Sequence, residues 1–213
     1  MKIGIIGTGH VGSVLAKEWA QAGHQVMVSS RHPNQLKSLA RNLGSKVQVG
    51  TPEEAAKFGE VVLLSIPLGE IPHLSKEVRN ALKGKVVLDT CNPYIERDKQ
   101  AGAEALNSPD GSGVWISKHI PGAKLVKAFN AIYAELLDSE AHREEDPIGI
   151  PLASDHRDAL EIASMLVMDA GFGPFVVGEL RRAKDFDNGT EAYGSGASLR
   201  DLKKILGEKR KAA

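Results

Sequence analysis

Apolar and polar positions follow one another in short blocks along this chain, and the period of the blocks changes in a regular order. Ile3 to Ile6 has the pattern of a buried strand and runs straight into Gly7-Thr8-Gly9-His10-Val11-Gly12. Val11, Val14, Leu15 and Trp19 then recur at helical spacing until Ala22-Gly23, a helix-ending pair. Gln25 to Ser29 predicts a second strand, and Pro33 to Leu43 a second helix with Leu36, Leu39, Ala40 and Leu43 inward. Val47 to Val49 is a short strand, and Thr51-Pro52-Glu53-Glu54 starts a helix with Thr51 as cap and Pro52 in the first position. Val61 to Ile66 reads as a buried strand and Ile71 to Leu82 as a helical stretch. Strands are predicted again at Lys85 to Asp89 and Lys124 to Ala128. Between them lie a weakly patterned, partly helical surface excursion from Glu96 to Gly113 and a helical or irregular piece from Trp115 to His119. Further on, Ile148 to Ala153 and Phe175 to Val177 read as strands flanking an amphipathic helix from Asp155 to Ala170. Ser198 to Leu206 predicts a last helix, followed by a frayed basic tail.

This alternation predicts an α/β fold, a doubly wound Rossmann-type parallel sheet with a small C-terminal extension packed on it. Residues 1–130 form the dinucleotide-binding domain in this reading, and 131–213 the extension that completes the sheet and the acceptor cleft. The opening unit carries the chemistry. Gly7 allows the tight turn, Gly9 lets the backbone approach phosphates, and Gly12 lets the helix pack on the sheet, so that a pyrophosphate can rest on the helix N-terminus. An NAD site usually places Asp or Glu about 20 residues beyond the glycines. Ser30-Arg31 stands there instead, and no acidic residue occurs between Glu18 and Glu53. Ser30 can donate to a 2′-phosphate and Arg31 can pair with it or stack on adenine, which makes NADP the expected cofactor.

Three further clusters fall at predicted carboxyl ends of strands, the edge where such sheets bind ligands. They are Ser65-Ile66-Pro67, Thr90-Cys91-Asn92-Pro93-Tyr94 and Phe129-Asn130. Pro67 fits a ligand-facing turn or a plain strand stop, and Asn92 a nicotinamide contact or an Asn-Pro turn. Cys91 reads as a packed residue rather than a nucleophile. The charged run Glu179 to Thr190 is either a solvated helix or a segment placing Arg182 and Lys184 in the acceptor pocket.

Composition narrows the partners. Twenty-seven basic residues balance twenty-seven acidic ones among 213, so neither nucleic acid nor a membrane surface is suggested. A single cysteine excludes an internal disulfide and a cysteine-rich metal site, so no metal is expected. Without an apolar run of signal or membrane-span length, the expected location is cytoplasmic.

With these residues in view the chain resembles the NADPH-dependent reductases of the deazaflavin coenzyme F-420 and their relatives, which include the cytosolic domain of ferric-reductase membrane proteins. The matching stretches are Ile5-Ile6-Gly7-Thr8-Gly9-His10-Val11-Gly12, Ser30-Arg31, Ser65-Ile66-Pro67, Asn92-Pro93 and Val126-Lys127-Ala128-Phe129-Asn130. The resemblance implies NADP on the glycine turn, with Thr8, Ser30 and Arg31 toward the 2′-phosphate and adenine. Ile66-Pro67, Asn92-Pro93 and the backbone around Phe129-Asn130 would approach the nicotinamide. It further implies a homodimer and a second redox molecule over the nicotinamide. Members that reduce F-420 often carry histidine where Asn130 aligns, which leaves the acceptor open between a flavin, a deazaflavin and a similar small molecule.

Chemistry points the same way. Carbonyl reduction needs a proton donor near the forming alkoxide. None of the seven histidines is placed for it: His10 lies in the glycine turn, His32 near the adenosine, and His73, His142 and His156 on predicted surface helices. A flavin-like ring stores the charge itself, and the protein supplies mainly orientation. The catalytic candidates are then Asn92 and Asn130. Two alternatives remain: a small-substrate carbonyl or imine reductase, using Tyr94, Lys127 or Tyr133 as acid, and a non-catalytic NADP-binding sensor.

Overall fold

A computed structural model describes residues 1–207; the basic tail expected to fray lies outside the described residues. The chain begins with β1 (Lys2–Ile6), α1 (His10–Gln21), β2 (Gln25–Ser29), a short 3-10 helix (Pro33–Leu36), α2 (Lys37–Leu43) and β3 (Val47–Gly50). It continues with α3 (Pro52–Phe58), β4 (Val61–Leu64), a second 3-10 helix (Leu68–His73), α4 (Lys76–Leu82) and β5 (Val86–Asp89). Next come α5 (Ile95–Leu106), α6 (Gly111–His119), β6 (Lys124–Lys127), α7 (Ala134–Ser139), β7 (Gly149–Ala153) and α8 (Arg157–Asp169). β8 (Gly173–Gly178), a third 3-10 helix (Leu180–Asp185) and α9 (Leu199–Gly207) complete it.

The strands form one sheet in the order β3-β2-β1-β4-β5-β6-β7-β8. Neighbours from β3 to β6 are parallel. The order reverses between β1 and β4, and that reversal opens a crevice at the carboxyl edge. β7 runs antiparallel to β6, joined at Lys127 and Ala153, while β8 is parallel to β7. The chain therefore forms a doubly wound Rossmann-type α/β fold whose C-terminal strand pair runs against the first six.

Helices cover both faces, and the strand interiors between them are mostly apolar, as burial on two sides demands, with Ser29, Asp89 and Lys127 the buried polar exceptions near the carboxyl edge. Trp19 anchors one face. It is fully buried, stands edge-on to Phe129 at 6.2 Å and donates its indole N–H to the carbonyl of Leu166, 2.8 Å away in α8. On the other face Leu64, Leu68, Ile71, Val87 and Ile116 close around β4 and β5. Thr51 caps α3 as expected, in a reciprocal box with Glu54.

Several sequence expectations are corrected. The Pro33 to Leu43 helix is split into a 3-10 turn and α2. The Ile71 to Leu82 stretch is also two pieces: Pro72 cannot donate in a continuing helix, and Ser75 caps a fresh one by accepting from Val78 N–H. β4 stops at Leu64, two residues short of Ile66, which turns out into the crevice. The excursion from Glu96 to Gly113 is mostly helical, and its glycine-rich end is buried as the first turn of α6. The reason is distant in sequence. Asp187, itself buried, accepts from the backbone N–H and hydroxyl of Ser112 at 3.0 and 2.7 Å and so serves the start of α6 from outside.

The charged run is not a solvated helix either. Leu180, Ala183 and Phe186 are buried, Arg182 pairs with Asp185, and Lys184 reaches the carbonyl of Pro109. Neither Arg182 nor Lys184 lines the crevice, so neither forms an acceptor pocket.

A candidate dinucleotide and acceptor crevice

The crevice is built on the turn from β1 to α1. Gly7 adopts φ +100°, a left-handed conformation that side chains disfavour, and a Cβ on it would collide with the carbonyl oxygen of Ser65. A Cβ on Gly12 would collide with the carbonyl oxygen of Gly7. A Cβ on Gly9 would meet nothing within 4 Å, so this glycine borders open space. Ser13 holds the turn by donating its hydroxyl to the carbonyl of Thr8 at 3.1 Å. Gly9 is the N-cap of α1 and no side chain caps the helix, which leaves the first amide N–H groups of a twelve-residue helix facing the crevice.

Of the hollows that border this turn, two share a wall at Ile66 and Pro67. The first, of about 380 Å³, is bounded by Gly7, Thr8, Ser30, Arg31, Pro52 and Val78 among others, with Ile66 and Pro67 as its wall. Ser30 accepts from the backbone N–H of His32 at 2.8 Å, which fixes its oxygen and frees its hydroxyl proton to donate. The Arg31 side chain is 82% exposed, and its nearest acid is Glu70 at 3.8 Å, a loose contact that a bound anion would displace. Glu53, Glu70 and His73 also face this hollow, and none of them was signalled by the pattern of the chain. His73, expected on a surface helix, is brought here by the 3-10 turn after β4.

The second hollow, of about 240 Å³, shares Ile66 and Pro67 and adds Gly9, His10, Val11, Ser65, Asn92, Tyr94 and Arg97. Beneath its lining residue Cys91 lies a buried polar network. Lys127 and Asp89 are both fully buried and paired at 2.9 Å; Lys127 also donates to the carbonyl of Cys91, and Asp89 accepts from the Cys91 N–H at 2.8 Å. Burial alone would lower the Lys127 pKa, but the charges of Asp89 and Asp187 hold it above the ordinary lysine value. Burial, with the charge of Asp89, pushes the Cys91 thiol well up, so it is the packed, inert group expected.

Asn92 donates to the carbonyl of Asn130 at 2.8 Å, and Asn130 donates to Asn92 Oδ1 and to the carbonyl of Phe186. The two catalytic candidates are thus in contact. Phe129, expected to meet a ligand through its backbone, has its side chain buried between Trp19 and Phe172, and with φ +58° it turns the backbone so that Asn130 faces Asn92. Any contact it makes with a ligand is through its backbone.

Asp98 locks the outer rim. It accepts from Gly69 N–H and Tyr94 N–H and pairs with Arg97 through two nitrogens. Although burial opposes it, these donors hold its carboxyl below the usual range, and they tie the loop after β4 to the loop after β5.

The model of a family described as coenzyme F420-dependent NADP oxidoreductase matches residues 2–93. The F420-dependent NADP reductase of Methanothermobacter marburgensis is 34% identical over 178 residues, covering 78% of each chain. The metalloreductase STEAP3 of Rattus norvegicus is 27% identical over 87% of this chain, which spans 36% of that protein's length. Among solved structures, a hypothetical protein from Sinorhizobium meliloti superimposes with a TM-score of 0.78 at 26% identity, over 93% of this chain and 95% of that one. No helix among the described residues is long and apolar enough to cross a membrane.

Proposed function

Because the chain belongs to the coenzyme F420-dependent NADP oxidoreductases and is an enzyme of that NADP-using kind, we propose that it passes hydride from NADPH to the planar ring of a flavin or deazaflavin. NADPH, when bound, supplies the hydride; the residues supply position, charge and exclusion of water. The free amides at the start of α1 and the bare face of Gly9 suit a pyrophosphate. Thr8, Ser30 and Arg31 would hold the 2′-phosphate side. Ser65, Ile66, Pro67 and Asn92, with His10 and Val11 opposite, would enclose the nicotinamide. Asn130 Oδ1 is buried without a protein partner among the described residues, an acceptor left for a ligand N–H.

The observation that carries the acceptor class is the state of the three side chains a carbonyl reductase would use. Lys127 is sealed under the floor by Asp89 and the Cys91 carbonyl. The Tyr94 hydroxyl is hydrogen-bonded to that of Tyr193, and Tyr133 is packed edge-on against Tyr193 at 5.8 Å. Burial and the Tyr94 hydrogen bond raise the Tyr193 pKa, opposite to the tuning a general acid needs near neutral pH. A ring that keeps the charge of the hydride has no need of such an acid.

Calorimetric titration tests the cofactor side. NADPH is expected to bind well ahead of NADH, and Arg31→Ala to weaken NADPH by about 1–3 kcal/mol while barely moving NADH. Equal affinity for the two dinucleotides in the unmodified protein would remove Ser30 and Arg31 from phosphate recognition.

A further inference from the structure

The chain has three tyrosines, and the fold brings all of them to one place beside the second hollow. Tyr94 follows β5, Tyr133 follows β6, and Tyr193 lies in the segment between the third 3-10 helix and α9. These segments are pinned together. Asn188 donates to the carbonyl of Pro93 at 2.9 Å, and Gly194 N–H to that of Ala131 at 2.8 Å. Gly194, at φ +66°, lies so close on the Tyr133 ring that a Cβ would be 2.5 Å from it. The aromatic surface is nevertheless open: Tyr94 is 40% and Tyr133 50% exposed. Arg97 stacks its guanidinium on the Tyr94 ring, 4.8 Å from the centroid. Its Nε and Nη2 are engaged by Asp98 and the Asn92 carbonyl, while Nη1 has no protein partner among the described residues.

We propose that Tyr94, Tyr133 and Tyr193 form the platform that holds the planar ring of the hydride acceptor, with Arg97 facing the negative charge the ring acquires. The inference rests on the ring-acceptor reading above and names the residues that select the ring. Joined hydroxyls and crossed ring planes keep the side chains in fixed orientations, so little rotamer entropy is lost when a flat ligand stacks on one ring and meets its perpendicular neighbour edge-on. The electron balance closes on the two reactants. A C–H bond of the dihydronicotinamide breaks, both its electrons leave with the hydrogen, and a new bond to it forms at a ring atom of the acceptor. NADPH becomes NADP⁺ and the reduced ring carries one negative charge, spread over a ring nitrogen and the adjoining carbonyl. Nη1 of Arg97 is the donor available for that charge, and a further proton comes from water.

Riboflavin is the probe, since it has the ring and lacks the phosphate that could bind elsewhere. Its affinity is read by fluorescence quenching and its KM by NADPH oxidation under argon. Tyr133→Ala and Tyr193→Leu are each expected to weaken riboflavin about tenfold by both readouts, the scale of an aromatic stacking contact. KM for NADPH and the melting temperature should stay near those of the unmodified protein. Unchanged riboflavin affinity in both variants would overturn the platform and leave the ring-acceptor reading standing. Failure of the unmodified protein to reduce riboflavin, flavin nucleotides or deazaflavin would overturn that reading and the platform with it.

Discussion

Alanine at Gly12 is expected to abolish measurable NADPH binding and to destabilise the fold, whereas alanine at Gly9 should abolish binding alone. The two glycines are three residues apart on the same turn, yet they meet different surroundings. The Gly12 methyl would strike the carbonyl oxygen of Gly7 and lie 3.5 Å from Ile5. Gly7 cannot yield, because its own φ of +100° is fixed against the Ser65 backbone. Relief requires α1 to lift from β1, and overpacking of this kind costs about 1–3 kcal/mol or more. The Gly9 methyl would project into empty space, so stability should change by no more than about 0.5 kcal/mol. In the binding mode proposed above, that same space takes the pyrophosphate. Thermal melts and NADPH titrations of the two variants check the distinction: both lose binding, and only Gly12→Ala loses melting temperature.

Lys127→Met is expected to lower stability by about 3–5 kcal/mol, because it leaves the Asp89 carboxylate buried without its cation. Asp89 and Lys127 have no exposed side-chain surface, so water cannot take over. The carbonyl of Cys91 loses its donor at the same time. Adding Asp89→Asn should recover a large part of the loss: an amide oxygen can still accept from the Cys91 N–H, and the orphan charge is gone. Denaturant unfolding of the single and double variants makes the comparison. If the single variant proved as stable as the unmodified protein, the pair would not support the floor of the crevice as described.

The turn and strand end proposed for the cofactor were largely legible before the structure, because that stretch is local. Strand, glycine turn, helix and strand follow one another within the first 31 residues, and Ser30-Arg31 stands where the parallel pairing of β1 and β2 must bring it. The side proposed for the acceptor was less legible because its contacts span long loops. Asp187 serves Ser112 across 75 residues, and Asn188 reaches Pro93 across 95. No periodicity in a run as charged as Glu179 to Thr190 reports that its apolar minority is buried. The tyrosine cluster joins three loops whose spacing carries no signal, and the positive φ of Phe129 cannot be read from a residue type that avoids it. The helical period from Ile71 to Leu82 carries no sign of the break at Leu74, so the sequence shows an exposed His73 but not that its short 3-10 turn ends at the first hollow.

The central claim is that NADPH gives its hydride directly to a planar ring held above the nicotinamide. Its most direct test is anaerobic mixing of the purified protein with NADPH carrying deuterium on the transferred face and a deazaflavin acceptor, followed by mass analysis of the reduced ring. The account predicts one deuterium at the ring carbon that accepts hydride and matched oxidation of NADPH. Tight NADPH binding with no deuterium delivered to a deazaflavin or reduction of a flavin, while a carbonyl or imine compound is reduced, would contradict it.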